Sequence, residues 1–178
     1  MNTAVQRLFL ALWPGDAVRA RLMQVRDTVP ARGRPVADAN LHLTLVFMGS
    51  VAVSRRPAVE AAAAGAAAPA FTLELDQVGY WPRARVAWLG STAPPPALTG
   101  LVDCLQTRLA SAGFGDPDPR PYRPHVTLLR HVDKRLGPPP ALQAPVTWPV
   151  SSVSLVESVT CAAGAEYRVL HTWPLGGH

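Results

Sequence analysis

Two short stretches hold the residue types best suited to chemistry: Leu41-His42-Leu43-Thr44-Leu45 and Pro124-His125-Val126-Thr127-Leu128. In each, a histidine and a threonine stand two positions apart and a leucine follows. On a β-strand such residues project from the same face, so an imidazole and a hydroxyl sit side by side. Leu43 and Leu45, like Val126 and Leu128, then point the other way into a core. One His-x-Thr is a cheap tripeptide, because threonine favours strands. Two copies with matching apolar alternation are far less expected by chance. Brought together, they would surround a small pocket with two imidazoles and two hydroxyls. That set suits hydrolysis of a strained cyclic phosphate: a base must take a proton from water, and an acid must protonate the departing ribose oxygen. Histidine supplies either role near neutrality. The Thr44 and Thr127 hydroxyls can donate to non-bridging phosphate oxygens, where transition-state charge must be held.

The elements around these motifs recur. Arg7 to Leu12 reads as a strand, and the segment after Asp16 as a helix, with Val18, Leu22, Val25 and Val29 at helical spacing. Pro30 to Asp38, with Arg32 and Arg34, reads as a loop before the first motif strand, Leu41 to Phe47. Ser54 to Ala68 is an Ala-rich helix with Pro57 in its first turn. Strands are expected over Phe71 to Val78 and Val86 to Leu89, then a helix from Pro94 to Ala112 stopped by Gly113. A Pro/Asp loop leads to the second motif strand, Pro124 to Leu129. A further loop, Gly137 to Pro145, precedes strands over Val150 to Val159 and Tyr167 to Trp173. Each half thus places a helix and a loop before a motif strand. The expected fold is α+β: two pseudo-symmetric α/β lobes with antiparallel sheets facing each other across a central cleft, within one domain spanning 1–178.

With 178 residues, 48% hydrophobic and 16% charged, the chain can bury a sizeable core. No apolar run approaches the roughly 20 residues that span a bilayer, and the N-terminal apolar run reads as a strand, not a leader. Cys104 and Cys161 lie far apart without metal-type spacing, which fits a reducing cytoplasm. The net charge of +5 and a pI near 10.0 favour a polyanionic partner. Lys134 is the lone lysine among these cations, so coding bias accounts for the balance equally well.

The paired motifs, with Arg-Leu-Phe-Leu-Ala-Leu at the start, Gly-Arg-Pro-Val before the first motif, Arg-Val-Ala-Trp-Leu-Gly in the middle and Tyr-Arg-Val-Leu-His-Thr-Trp-Pro-Leu at the end, closely resemble the two-histidine (2H) phosphoesterases. Within them the resemblance is to the RNA 2′,3′-cyclic phosphodiesterases, also called the 2′-5′ RNA ligase family, and it covers nearly the whole chain. It implies the two-lobed fold and opening of a 2′,3′-cyclic phosphate to a 2′-phosphate, without metal or cofactor. It also implies His125 as base and His42 as acid, although the two motifs are nearly equivalent as sequence. Arg130 becomes a phosphate or substrate contact by the same resemblance. Strict alternation from His125 puts it on the wrong face, so a strand end or bulge is required. Phe9 would line the base side of the cleft or serve as core, and Tyr122 would stack on a base or cap its strand. Arg32 and Arg34 either guide RNA or form a solvated loop. Trp81, Trp88, Trp148 and Trp173 read as core or lobe-interface residues, and His131, His171 and His178 as surface or core histidines.

The expected partner is RNA with 2′,3′-cyclic phosphate ends, or a cyclic nucleotide, bound by a monomer that needs no membrane. Three other readings share these residues. A nucleotide-binding module would not turn the ligand over. A metallohydrolase would use the histidines as ligands, but no Asp, Glu or Cys pattern completes a site. Ligation of RNA ends is the reverse reaction on the same groups, and water at about 55 M opposes it unless a second end is held tightly.

Overall fold

The structure, a computed structural model, describes residues 4–161 and 164–176; His178 lies outside them. Among the described residues, ten strands and three α-helices follow one another as β1 (Val5–Leu12), α1 (Asp16–Thr28), β2 (Ala31–Pro35), β3 (Leu43–Ala52), α2 (Arg56–Ala64), β4 (Phe71–Leu75), β5 (Gln77–Trp81), β6 (Val86–Gly90), α3 (Pro96–Ser111), β7 (His125–Arg135), β8 (Val146–Val150), β9 (Ser152–Cys161) and β10 (Gly164–Pro174).

Two antiparallel wings meet along the motif strands. One wing runs β10-β9-β1-β3 and the other β7-β6-β5, with β2 on the free edge of β7. They join through one residue pair, Leu43 with Val126. The expected pair of lobes is therefore a pair of sheet wings made continuous at the two motifs. A separate two-stranded sheet, β4 with β8, lies off this path. α1 packs against β8 and β7, whereas α3 packs against α2 and β3.

Burial explains the wings. In β1, Leu8, Leu10 and Leu12 enter the main core with Leu43, Leu89, Val126 and Leu128. Phe9 and Ala11 face the other way and form a smaller cluster with Val156, flanked by Trp13 and Tyr167. With an apolar cluster on each side, both faces of β1 are covered, and it loses the apolar–polar alternation of a half-exposed strand. In α3, Leu98, Leu101, Val102, Leu105 and Leu109 form one buried stripe at helical spacing.

Three segments depart from the sequence reading. The expected loop over Pro30 to Asp38 contains β2, whose residues Ala31, Arg32, Arg34 and Pro35 pair with β7. Its sequence, Ala-Arg-Gly-Arg-Pro, has no apolar alternation because the strand is largely exposed, so only its neighbour defines it. The expected strand over Phe71 to Val78 is two strands in different sheets. They part at Asp76, whose carboxylate accepts from the Thr92 amide and hydroxyl. The expected strand over Val150 to Val159 likewise divides at Ser151, ending β8 in the small sheet and beginning β9 in the large one.

Candidate active site

His42 precedes β3 by one residue and His125 opens β7. Leu43 and Val126, their next neighbours, pair antiparallel and are fully buried. Antiparallel pairing at that one point brings the two motifs side by side, with their histidines and threonines on the side of the sheet away from the Leu43–Val126 core.

The two rings are held in the same way. His42 Nδ1 lies 2.6 Å from the carbonyl oxygen of Asn40, and His125 Nδ1 lies 2.8 Å from that of Arg123. In both cases the partner is the carbonyl two residues earlier. A carbonyl only accepts, so each Nδ1 carries the proton and each Nε2 is the lone-pair nitrogen when the ring is neutral. The Thr44 hydroxyl lies 3.1 Å from His42 Nε2 and donates to it in that state.

Aromatic rings fix the imidazole planes. His42 is stacked on Trp13 (5.6 Å between centroids, 15° between planes), with Phe9 and the edge of Tyr167 each 5.0 Å away. His125 meets the edge of Trp81 at 4.5 Å, and Trp81 in turn packs on Trp88 at 5.1 Å. Gly79, paired with Trp88, makes room for that indole: a Cβ there would lie 2.1 Å from the Trp88 ring. None of Trp13, Tyr167 or the carbonyls of Asn40 and Arg123 stood out in the sequence. Tyr167 comes from the far end of the chain, and a backbone carbonyl leaves no residue-type signature.

Burial is the main cause of a low proton affinity at both histidines. It pushes His42 down to about 4, with Arg130 and His125 adding repulsion and the Asn40 carbonyl opposing the trend. It lowers His125 as well, again with repulsion from Arg130. Arg130 thus acts electrostatically on both rings, although alternation from His125 would direct it away. A bulge resolves this. Thr127 pairs with Trp88 and Leu129 with Ala87, so Leu128 is an extra residue on β7. Leu128 and Leu129 are both buried and Arg130 is exposed, as expected when a bulge restores the next side chain to the outer face.

β3 repeats the device. Thr44 pairs with Ala11 and Val46 with Leu10, which leaves Leu45 as its extra residue. Both bulges fall on the leucine that follows the motif threonine, each against the inner neighbour of its own wing.

Two adjoining cavities open on this surface. One, of about 590 Å³, is lined by His42, Thr44, Phe9, Phe47, Tyr167, Ser158, Thr160, Arg7, Arg34 and Arg130, among others, with no carboxylate in its wall. The second, of about 890 Å³, holds His125, Trp81 and Tyr122 and shares Thr44 and Phe47 with the first. Thr127 borders neither and lies on β7 between His125 and the bulge. Phe9 is 3% exposed, so it is wall and floor more than an open ring face. The Tyr122 hydroxyl donates to the Thr44 carbonyl at 2.8 Å, and burial raises its pKa; it braces the first motif. Arg32 and Arg34 extend the basic surface along β2, with Arg34 paired to Arg130 and Arg32 to Lys134. Among the described residues, no group of three or more His, Cys, Asp or Glu side chains gathers as a metal site. No helix among them is long and apolar enough to cross a membrane.

Comparison with known proteins places the chain in a family. The family model for LigT-like phosphoesterases matches residues 12–88. Over 173 residues the chain is 37% identical to the RNA 2′,3′-cyclic phosphodiesterase of Escherichia coli (strain K12), covering 96% of this chain and 97% of that relative. The chain belongs to the LigT-like phosphoesterase family. A second relative named RNA 2′,3′-cyclic phosphodiesterase, from Thermus thermophilus, is 32% identical over 182 residues, covering 96% of this chain and 91% of that protein. The crystal structure of E. coli LigT complexed with 3′-AMP superposes with a TM-score of 0.88 at 35% identity, covering 98% of this chain and all of the other. The wings and central cleft described above are thus the fold of this family.

Proposed function

We propose that the protein hydrolyses 2′,3′-cyclic phosphate ends of RNA to 2′-phosphates, with His42 and His125 as the general acid and base. The observation that carries this reading is the matched presentation of the two rings. Each is locked through Nδ1 to a carbonyl two residues before it, so both Nε2 atoms are available to the same side of the Leu43–Val126 pair. The family relatives named RNA 2′,3′-cyclic phosphodiesterase, and the 3′-AMP complex of a similar structure, support the substrate class.

In this reading the cyclic phosphate sits between the motifs. Arg130 and the Thr44 and Thr127 hydroxyls hold its non-bridging oxygens, where charge builds in the transition state. One neutral Nε2 takes a proton from water as the water oxygen bonds to phosphorus. The P–O3′ bond breaks, and the other Nε2, protonated, gives its proton to O3′. The family resemblance assigns the base to His125 and the acid to His42. Burial keeps His42 neutral in the free cleft, so the substrate itself helps to charge it: an anionic phosphate offsets Arg130 and raises both imidazole pKa values. Metal has no role in these steps. With a 5′-hydroxyl end in place of water as the nucleophile, the same groups would join two RNA ends through a 2′-5′ phosphodiester, again breaking P–O3′, and no residue separates the two outcomes.

The test is incubation of purified protein, in EDTA, with RNA carrying a 2′,3′-cyclic phosphate. Release of phosphate by phosphatase after the reaction, with end mapping to the 2′ position, is the expected result. A folded protein that leaves the cyclic end intact would move the reading to a non-catalytic nucleotide-binding role.

A further inference from the structure

A cyclic phosphate ends its RNA, so the rest of the strand can leave the cleft only in the 5′ direction. The charge around the cleft differs from one exit to another. The wall of the second cavity carries Asp116 and Asp118 beside Arg120 and Arg123, and Asp118 is already paired with Arg120. On β10, beside the first cavity, Glu166 is paired with Arg168. The β2–β7 edge has a different balance. Its two strands hold Arg32, Arg34, Arg130, Lys134 and Arg135 against one carboxylate, Asp133.

Four of these cations are ordered by the sheet. Arg34 pairs with Arg130, and Arg32 with Lys134, across the antiparallel ladder, and directly paired residues share a face. Gly33 stands between the two arginines, and a Cβ there would lie 2.9 Å from the side chain of Val132, which is buried. Arg32 and Arg34 therefore project from the opposite face, on which Arg34 and Arg130 line the first cavity. β7 advances four residues where β2 advances two, and this irregularity brings Lys134 opposite Arg32. Two exposed cationic pairs thus follow one another outward from the cleft, about 7 Å apart along β2. Among the described residues no salt bridge engages Arg32 or Lys134. Like charges directly opposite each other destabilise a sheet, and here the arrangement occurs twice in succession. Charge that only kept an edge strand from pairing with another chain would need no matching cation on its neighbour.

We propose that the β2–β7 edge is a track for the RNA strand 5′ of the cyclic end, with the Arg32–Lys134 pair holding backbone phosphate outside the cleft. The proposal rests on the reading of the cleft as an RNA 2′,3′-cyclic phosphodiesterase, and it makes the preferred substrate an oligonucleotide and not a mononucleotide. Arg130 takes the reacting phosphate, and the outer pair takes a phosphodiester farther along the chain. Bound phosphate also relieves the repulsion within each pair. Phosphate contacts carry no base information, so the track gives affinity that grows with strand length without sequence selection.

The experiment measures binding of a short oligoadenylate ending in a 2′-phosphate, and of adenosine 2′-phosphate, across a salt series. The proteins are wild type, the double variant Arg32→Gln/Lys134→Gln, and Lys134→Glu. Wild type should bind the oligonucleotide more tightly than the mononucleotide. In the double variant the slope of log affinity against log salt should become shallower by about 0.7 to 1.4, the loss of one or two single-strand phosphate contacts. Affinity for adenosine 2′-phosphate should stay within about twofold. Lys134→Glu gives Arg32 a partner of opposite charge, so it should weaken oligonucleotide binding while the thermal midpoint holds or rises. An unchanged oligonucleotide affinity and salt slope in the double variant would overturn the proposal. So would an equal loss for adenosine 2′-phosphate, or a lowered midpoint in Lys134→Glu. Because the readout is binding, a salt slope that depends on the pair upholds the track even if no cyclic phosphate is turned over. Turnover of cyclic ends with no effect of either variant on oligonucleotide binding would refute the track and leave the enzymatic reading intact.

Discussion

Replacing His42 with glutamine should flatten the acid side of the protein's stability curve. In the folded state burial holds His42 down to about 4, against 6.5 for a free imidazole. Between those values the unfolded chain binds a proton that the folded chain refuses, so folding loses free energy as pH falls. At about 1.4 kcal/mol per tenfold change in proton affinity, the loss from this group is capped at about 3 kcal/mol. It begins near pH 6.5, accumulates down to about pH 4 and levels off below. Above pH 6.5 both states are neutral and the group contributes no slope. The assay is urea denaturation of wild type and His42→Gln at half-unit steps from pH 7.5 to 4. Carboxylates titrate in the same window, but they are common to both proteins, and the difference isolates His42. Wild type should lose about 2 to 3 kcal/mol more than the variant between pH 7 and 4. Parallel curves would refute the assignment of His42 as a buried neutral imidazole.

Three other perturbations probe the surroundings. Arg130→Gln should cut kcat/KM by about 10²-fold or more, the scale of one transition-state donor. It should also shift the free-enzyme pH limbs to higher pH, because the cation that repels protons from both histidines is gone; a rate loss with an unmoved profile would contradict that role. Gly79→Ala should destabilise by about 1 to 3 kcal/mol, since its Cβ would collide with the Trp88 ring that supports Trp81 and His125. An unchanged thermal midpoint would show that the indole has room to move. Thr44→Val should slow turnover more than it alters stability, because the hydroxyl bonds His42 Nε2 and, in the proposed mechanism, the phosphate, and not the core. Wild-type kinetics in that variant would remove the hydroxyl from the site.

Much of this organisation is legible in the residues because period-two alternation and a repeated motif are local signals. His42 and Thr44, or His125 and Thr127, share a face by strand geometry alone, and the buried stripe of α3 follows from helical spacing. Arg130 calls for a strand end or a bulge, but residue types neither choose between them nor locate the bulge at Leu128, since a bulge is a relation between two strands. The counterpart at Leu45 left no sign, because no residue on β3 required it. β2 escaped for the same reason: an exposed Arg-Gly-Arg-Pro strand exists only through its pairing with β7. The aromatic rings around His42 were scattered as Phe9, Trp13 and Tyr167, and only the meeting of β1 with β9 and β10 gathers them. The twin carbonyl contacts of the histidines are backbone features, yet they decide which ring nitrogen is left for chemistry.

The most direct test of the two-histidine mechanism is a double-mutant comparison of turnover on one 2′,3′-cyclic phosphate RNA: wild type, His42→Ala, His125→Ala and the two changes combined. Groups that act as one acid–base unit are non-additive. Each single change should lower kcat by about 10²-fold or more, and the double variant should be little worse than the weaker single one. Near-normal turnover in either single variant, or losses that multiply in the double, would contradict an acid and base working in one step.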